Sequence, residues 1–91
     1  MLLRVEFYGI ARQRAGVPCV ELDLPGRRTT LAASLRRLAD KLPEFGRECL
    51  DGGCLRKTLS ANLAGERFVS DPATAIESGQ TLLILSADAG G

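Results

Sequence analysis

Leu82-Leu83-Ile84-Leu85 is apolar at every position. Successive side chains of an extended chain point to opposite faces, so Leu82 and Ile84 share one side and Leu83 and Leu85 the other. A strand apolar on both faces needs both covered. The pattern predicts a last strand over Thr81 to Leu85, at the centre of a sheet, its second face met by a partner. The strand leads into no turn and no further element, only into Ser86-Ala87-Asp88-Ala89-Gly90-Gly91. Gly90 and Gly91 lack a Cβ, so the chain there adopts almost any φ/ψ and passes a narrow slot. The expectation is a body over residues 1–85 and a flexible tail over residues 86–91. Such a tail reaches roughly 20 Å. Its terminal carboxylate, on Gly91, is then the working group and the body a handle.

The body is legible in its periods. Leu3-Arg4-Val5-Glu6-Phe7 alternates, with Leu3, Val5 and Phe7 inward and Arg4, Glu6 and Tyr8 outward. Gly9 breaks the run, and Ala11 to Gly16 reads as a polar connection. Cys19 to Leu24 alternates again, with Val20, Leu22 and Leu24 on one face, so the two strands form an antiparallel hairpin. Then the period changes. Leu31, Leu35, Leu38 and Leu42 fall at helical spacing, Thr30 or Thr29 is placed to cap, and Pro43 prevents continuation. Glu44 to Lys57 reads as irregular, with Phe45 and Leu50 or Leu55 as anchors. Leu59, Ala61 and Leu63 alternate inward, and Gly65-Glu66 is a turn. Arg67 to Val69 is a short strand and Asp71-Pro72 another turn. Ile76 stands alone before a loop. The order strand, strand, helix, strand, short strand, strand lets the last strand pair beside the first in parallel, through a crossover. This is α+β, the β-grasp arrangement that ubiquitin has. It is a mixed sheet of four to five strands with one main helix across one face.

Composition removes several functions. Twelve basic and eleven acidic residues leave a net charge of +1, and aromatic residues are 4%, so nothing points to nucleic acid. No apolar run approaches the roughly 20 residues that span a bilayer. The first residues lack a signal-peptide core, and a cytoplasmic location is expected. Histidine is absent, which removes the commonest general base and metal ligand. Cys19, Cys49 and Cys54 are too few for a zinc site or an iron–sulfur cluster and form no disulfide framework. The three read as ordinary thiols of a reducing compartment, with a reactive thiol at Cys54, beside Gly53 and near Arg56 and Lys57, as the alternative. Arg27, Arg28, Arg36 and Arg37 read as a solvated helix face with a basic lead-in.

Three stretches carry a resemblance. These are Val5-Glu6-Phe7-Tyr8-Gly9-Ile10-Ala11-Arg12, the helix ending at Leu42-Pro43-Glu44, and Gly79 to Gly91 with its loop glycine, apolar strand and Gly-Gly tail. Over essentially its whole length the chain resembles the ubiquitin-like sulfur carriers. It is most similar to the small subunit of molybdopterin synthase and more distantly similar to the thiamin-pathway carrier. Ala64-Gly65-Glu66 stands where that family often has Asn-Gly-Glu.

The resemblance implies a carrier, not an enzyme, with no bound cofactor. A ubiquitin-activating-type adenylyltransferase, using ATP and Mg²⁺, would adenylate the Gly91 carboxylate, with Gly90 threading the channel. A sulfur donor would convert the acyl-adenylate to a thiocarboxylate. That sulfur would pass to an acceptor held by the large subunit of molybdopterin synthase or another acceptor enzyme. The resemblance places Tyr8, Arg12, Leu83 and Leu85 at the partner interface. It leaves open a protein modifier conjugated through Gly91, and carriers for thiamin, cysteine or tRNA thiolation. A plain interaction domain with an incidental tail is the third alternative.

Overall fold

The computed structural model describes residues 1–87. Gly90 and Gly91, and with them most of the expected tail, lie outside the described residues.

β1 (Leu2–Phe7) follows its alternation, with Leu3, Val5 and Phe7 buried and Arg4 in water. The polar connection expected next is instead a short helix, α1 (Ile10–Ala15). Gly9 (φ 59°) opens it, Gly16 (φ 76°) closes it in the left-handed region, and Ala11 is its buried residue. Its inward residues are two alanines one turn apart, Ala11 and the half-buried Ala15, too few and too small to show a period, which is why this helix is hidden in the sequence. β2 (Cys19–Asp23) returns antiparallel to β1, setting Leu22 against Leu3 and Val20 against Val5.

β3 (Arg28–Thr30) leads into α2 (Leu31–Lys41). The Thr30 hydroxyl oxygen accepts the Ala33 N–H at 3.1 Å, so Thr30 is the N-cap. Leu31, Leu35 and Leu38 are buried, Leu42 is half-buried, and Arg36, Arg37, Asp40 and Lys41 are exposed. Pro43 ends α2, yet the stretch beyond it is not irregular. Pro43 occupies the first turn of α3 (Pro43–Cys49), where a missing N–H costs nothing. Phe45 and Cys49, one turn apart, are buried. A Cβ on Gly46 would fall 2.7 Å from the Ala39 Cβ, so the glycine lets α3 rest on α2. β4 (Leu50–Asp51) and β5 (Cys54–Leu55) then form a minimal hairpin. Its loop is Gly52 (φ 61°) and Gly53 (φ 83°), the positive pair a tight hairpin turn requires.

β6 (Leu59–Leu63) buries Leu59, Ala61 and Leu63 and turns into β7 (Arg67–Val69). That turn holds Ala64 at φ 60° and Gly65 at φ 73°. Left-handed backbone costs an L-residue about 1–2 kcal/mol, and alanine has no side-chain group to offset it. Ala64→Asn or Ala64→Gly is therefore expected to stabilise the fold by about 0.5–1 kcal/mol in urea denaturation, the unfolded chain's extra freedom taking back part of the gain with glycine. A loss of stability in both variants would contradict the assigned turn.

β8 (Ala75–Glu77) corrects another expectation. Ile76 does not stand alone before a loop: it is fully buried, and its strand pairs antiparallel with β3, Ile76 opposite Thr29. The pairing joins residues far apart in sequence and so escaped a local reading. β9 (Thr81–Ser86) runs one residue beyond the expected strand end. The Ala87 N–H also donates to the Thr58 carbonyl at 2.9 Å, so the backbone is held to the limit of the described residues.

The main sheet has the order β2-β1-β9-β6-β7. β9 is its centre, parallel to β1 (Val5 beside Leu82, Phe7 beside Ile84) and antiparallel to β6 (Ile84 beside Ala61, Leu82 beside Leu63). These residues, with Leu3 and Leu22, join Leu31, Leu35, Leu38 and Phe45 from the helices in one core. The other face of β9 is left without a layer of its own.

Candidate functional site

The open face of the sheet is fixed by register. Leu83 lies between Glu6 of β1 and Asn62 of β6, Leu85 lies beside Ser60, and Asn62 lies beside Phe68 of β7. Leu83 and Leu85 are half-buried, whereas Leu82 and Ile84 on the core side are fully buried. Tyr8 follows β1 directly. Its N–H donates to the Ile84 carbonyl at 2.9 Å, and its side chain is 46% exposed at the end of β9 from which the tail departs. Tyr8, Leu83 and Leu85 are thus brought together. Arg12 is exposed on α1, off the sheet. Among the described residues it makes no ion pair.

The outward residues Arg4, Glu6 and Tyr8, set on one face by the alternation of β1, are joined in the structure. The Tyr8 hydroxyl donates to Glu6 Oε1 at 2.5 Å, and Arg4 Nε donates to Glu6 Oε2 at 2.8 Å. Arg4 foremost, and Tyr8 with it, hold the Glu6 carboxyl below the usual carboxylate range. In return the Glu6 carboxylate raises the Tyr8 phenol above its ordinary value. The chain holds one tyrosine and no tryptophan, so ultraviolet titration follows Tyr8 alone. Glu6→Gln removes the charge that disfavours phenolate, and the Tyr8 midpoint is expected to fall toward that of a free phenol. An unchanged midpoint would contradict the hydrogen bond.

Phe68 was missed as a surface residue. It is 56% exposed, beside an Asn62 whose Oδ1 is buried with no hydrogen-bond partner among the described residues. The alternation Arg67-Phe68-Val69, with Val69 buried, was the signal available for it. The face therefore presents Tyr8, Leu83, Leu85 and Phe68 around a desolvated amide oxygen, and Glu6 and Glu66 line a depression beside Leu83.

The cysteines separate by burial. Cys49 is buried, and burial foremost, then Glu48, pushes its thiol up. Cys54 is exposed and lines a pocket of about 270 Å³ with Leu31, Leu35, Leu55, Leu59 and Pro72 and, among the described residues, no charged side chain. Among the described residues no cluster of metal-ligating side chains forms, and no helix is long and apolar enough to cross a membrane.

Comparison with protein-family models gave no match, and comparison with curated protein sequences gave none. Comparison of structures did. Haloferax volcanii SAMP1 superposes with a TM-score of 0.78 at 22% identity, covering 100% of both chains. A putative molybdopterin converting factor, subunit 1, from Pyrococcus furiosus gives 0.74 at 19% identity, over 94% of this chain and 97% of that one. A chain of the Amycolatopsis orientalis BexX/CysO complex gives 0.73 at 20% identity, over 98% and 99%. The chain has the β-grasp fold. Within that β-grasp body, the expected mixed sheet, its central last strand and its main helix are all present. Added to them are α1, α3 and two small two-stranded sheets. Each of these proteins is matched over nearly its whole length, so the β-grasp likeness is not confined to a shared core.

Proposed function

We propose that the chain is a ubiquitin-like sulfur carrier, itself non-catalytic, acting in the cytoplasm. In this proposal a ubiquitin-activating-type enzyme uses ATP and Mg²⁺ to adenylate the Gly91 carboxylate. A sulfur donor then gives a thiocarboxylate, and the sulfur passes to an acceptor held by another enzyme. Molybdopterin synthesis, with that synthase's large subunit as partner, is the pathway we favour. The observation that carries the proposal is positional. The central strand β9 ends beside an exposed apolar face, five residues before Gly91.

The chemistry suits that layout. An α-carboxyl has a pKa near 3.5, so at neutral pH it is an anion and a poor electrophile until adenylation supplies a leaving group. Glycine leaves the acyl carbon unhindered. Tyr8, Leu83 and Leu85 would seat the body on the partner, and Arg12, off the sheet on α1, would pair with an acid of that partner. The likeness to the P. furiosus protein, by its name, supports the molybdopterin branch.

The likeness to a small archaeal modifier protein favours a second reading, conjugation of Gly91 to lysines of other proteins. One comparison tests the first reading and exposes the second. The full chain and a chain lacking Gly90 and Gly91 are each incubated with the activating enzyme of the same organism, ATP and Mg²⁺. Pyrophosphate release with the full chain alone is expected, and equal release from both would overturn the proposal. Ladders of tagged chain on host proteins, resistant to thiols and dependent on Gly91, would replace the carrier by the modifier.

A further inference from the structure

Two long-range hydrogen bonds hold the chain where it leaves the sheet. The hydroxyl oxygen of Ser86, the last residue of β9, accepts the Ile10 N–H of α1 at 2.9 Å, joining residues 76 apart in sequence. Helix starts leave backbone donors unpaired, and no side chain next to α1 in sequence caps this one. The end of the chain therefore caps a helix near its beginning. Gly9 completes the contact. A Cβ there would come within 2.5 Å of Ser86 Oγ, on a backbone at φ 59°. On the other side, the Ala87 N–H is held by the Thr58 carbonyl.

We infer that Ser86 is a positioning residue, fixing the point and direction from which the acyl end is delivered. This rests on the carrier reading above. Two terminal glycines supply reach but no direction. Reaction needs a near-attack placement, and an error of about an ångström costs roughly 10²-fold in rate. Residues held upstream set where that end starts from and which way it leaves. Ser86 and Ala87 are held in this way, one tied to α1 and the other to the segment before β6. Binding through Tyr8, Leu83 and Leu85 is a separate contribution, because their side chains lie on the open face. Loss of the Ser86 hydroxyl should therefore appear in kcat and not in KM.

The test compares full-length wild type, Ser86→Ala and Ser86→Thr as substrates of the activating enzyme of the same organism. Amide exchange at Ile10 provides a structural readout. In Ser86→Ala the Ile10 amide is expected to exchange about tenfold faster. Its kcat for adenylation is expected to fall about tenfold at unchanged KM, a graded part of the misplacement effect. Ser86→Thr, which keeps the hydroxyl, should recover both. Wild-type kcat in Ser86→Ala, or a change in KM alone, overturns the positioning role and leaves the carrier reading intact. A wild-type chain that is never adenylated overturns both.

Discussion

Phe45→Ala is expected to remove about 3–5 kcal/mol of stability, the range for truncating a buried aromatic ring. For a domain of this size that is a large share of a total on the order of 5–14 kcal/mol. Phe45 is 1% exposed, and its ring lies 5.2 Å from that of Phe7, tilted by 56°. Such aromatic pairs add about 0.5–1.5 kcal/mol beyond the burial of area. The cavity would not close easily. α3 is fixed at one end by Pro43 and along its length by Gly46 on Ala39, so it cannot slide into the gap. The exposed Arg14–Glu48 pair between α1 and α3, at 3.2 Å, holds the helices together too weakly to compensate. Urea denaturation measures the loss. Glu44→Ala, on the exposed side of the same helix, should stay within about 0.5 kcal/mol of wild type. A cost near zero at Phe45 would mean that α3 does not belong to the core.

The double change Tyr8→Ala, Leu85→Ala is expected to weaken binding to the activating enzyme by about 10³-fold. Anchors at a real interface cost about 2 kcal/mol or more each when truncated. Two such losses, at about 1.4 kcal/mol per tenfold, give that factor. Tyr8 is 46% exposed and its hydroxyl is bonded only to the half-buried Glu6, so its removal should cost the isolated body little. Leu85 is half-buried and will cost some stability, and circular dichroism at the assay temperature must show the variant folded. Phe68→Ala tests whether the surface reaches β7. Unchanged affinity in a folded double variant would remove the interface from this face.

Much of the fold was open to a reader of the sequence. The alternations around Val5, Ala61 and Ile84 and the leucines of α2 persist long enough to define a period and hence an inward face. That was sufficient for the mixed sheet, for β9 at its centre, and for the outward placement of Tyr8, Leu83 and Leu85. Elements too short to repeat were lost. α1 buries only Ala11, and β4 and β5 each have two residues. α3 was hidden by a residue with two meanings, since Pro43 both ends one helix and begins the next. Contacts distant in sequence were lost as well. Nothing local links Thr29 to Ile76 or Ser86 to Ile10. Sequence identity of 19–22% to the structures compared is correspondingly faint, because burial pattern and not residue type carries the fold.

The central claim is that Gly91 carries an activated acyl group, and intact mass tests it most directly. The full chain is incubated with the activating enzyme of the same organism, ATP, Mg²⁺ and a sulfide source, then weighed whole and after digestion. The account predicts a species heavier by the difference between one sulfur and one oxygen atom. That increment should be confined to the C-terminal peptide and lost when Gly90 and Gly91 are deleted. An unshifted chain in an assay where the enzyme turns over its ATP, or sulfur found on Cys54 instead, would contradict it.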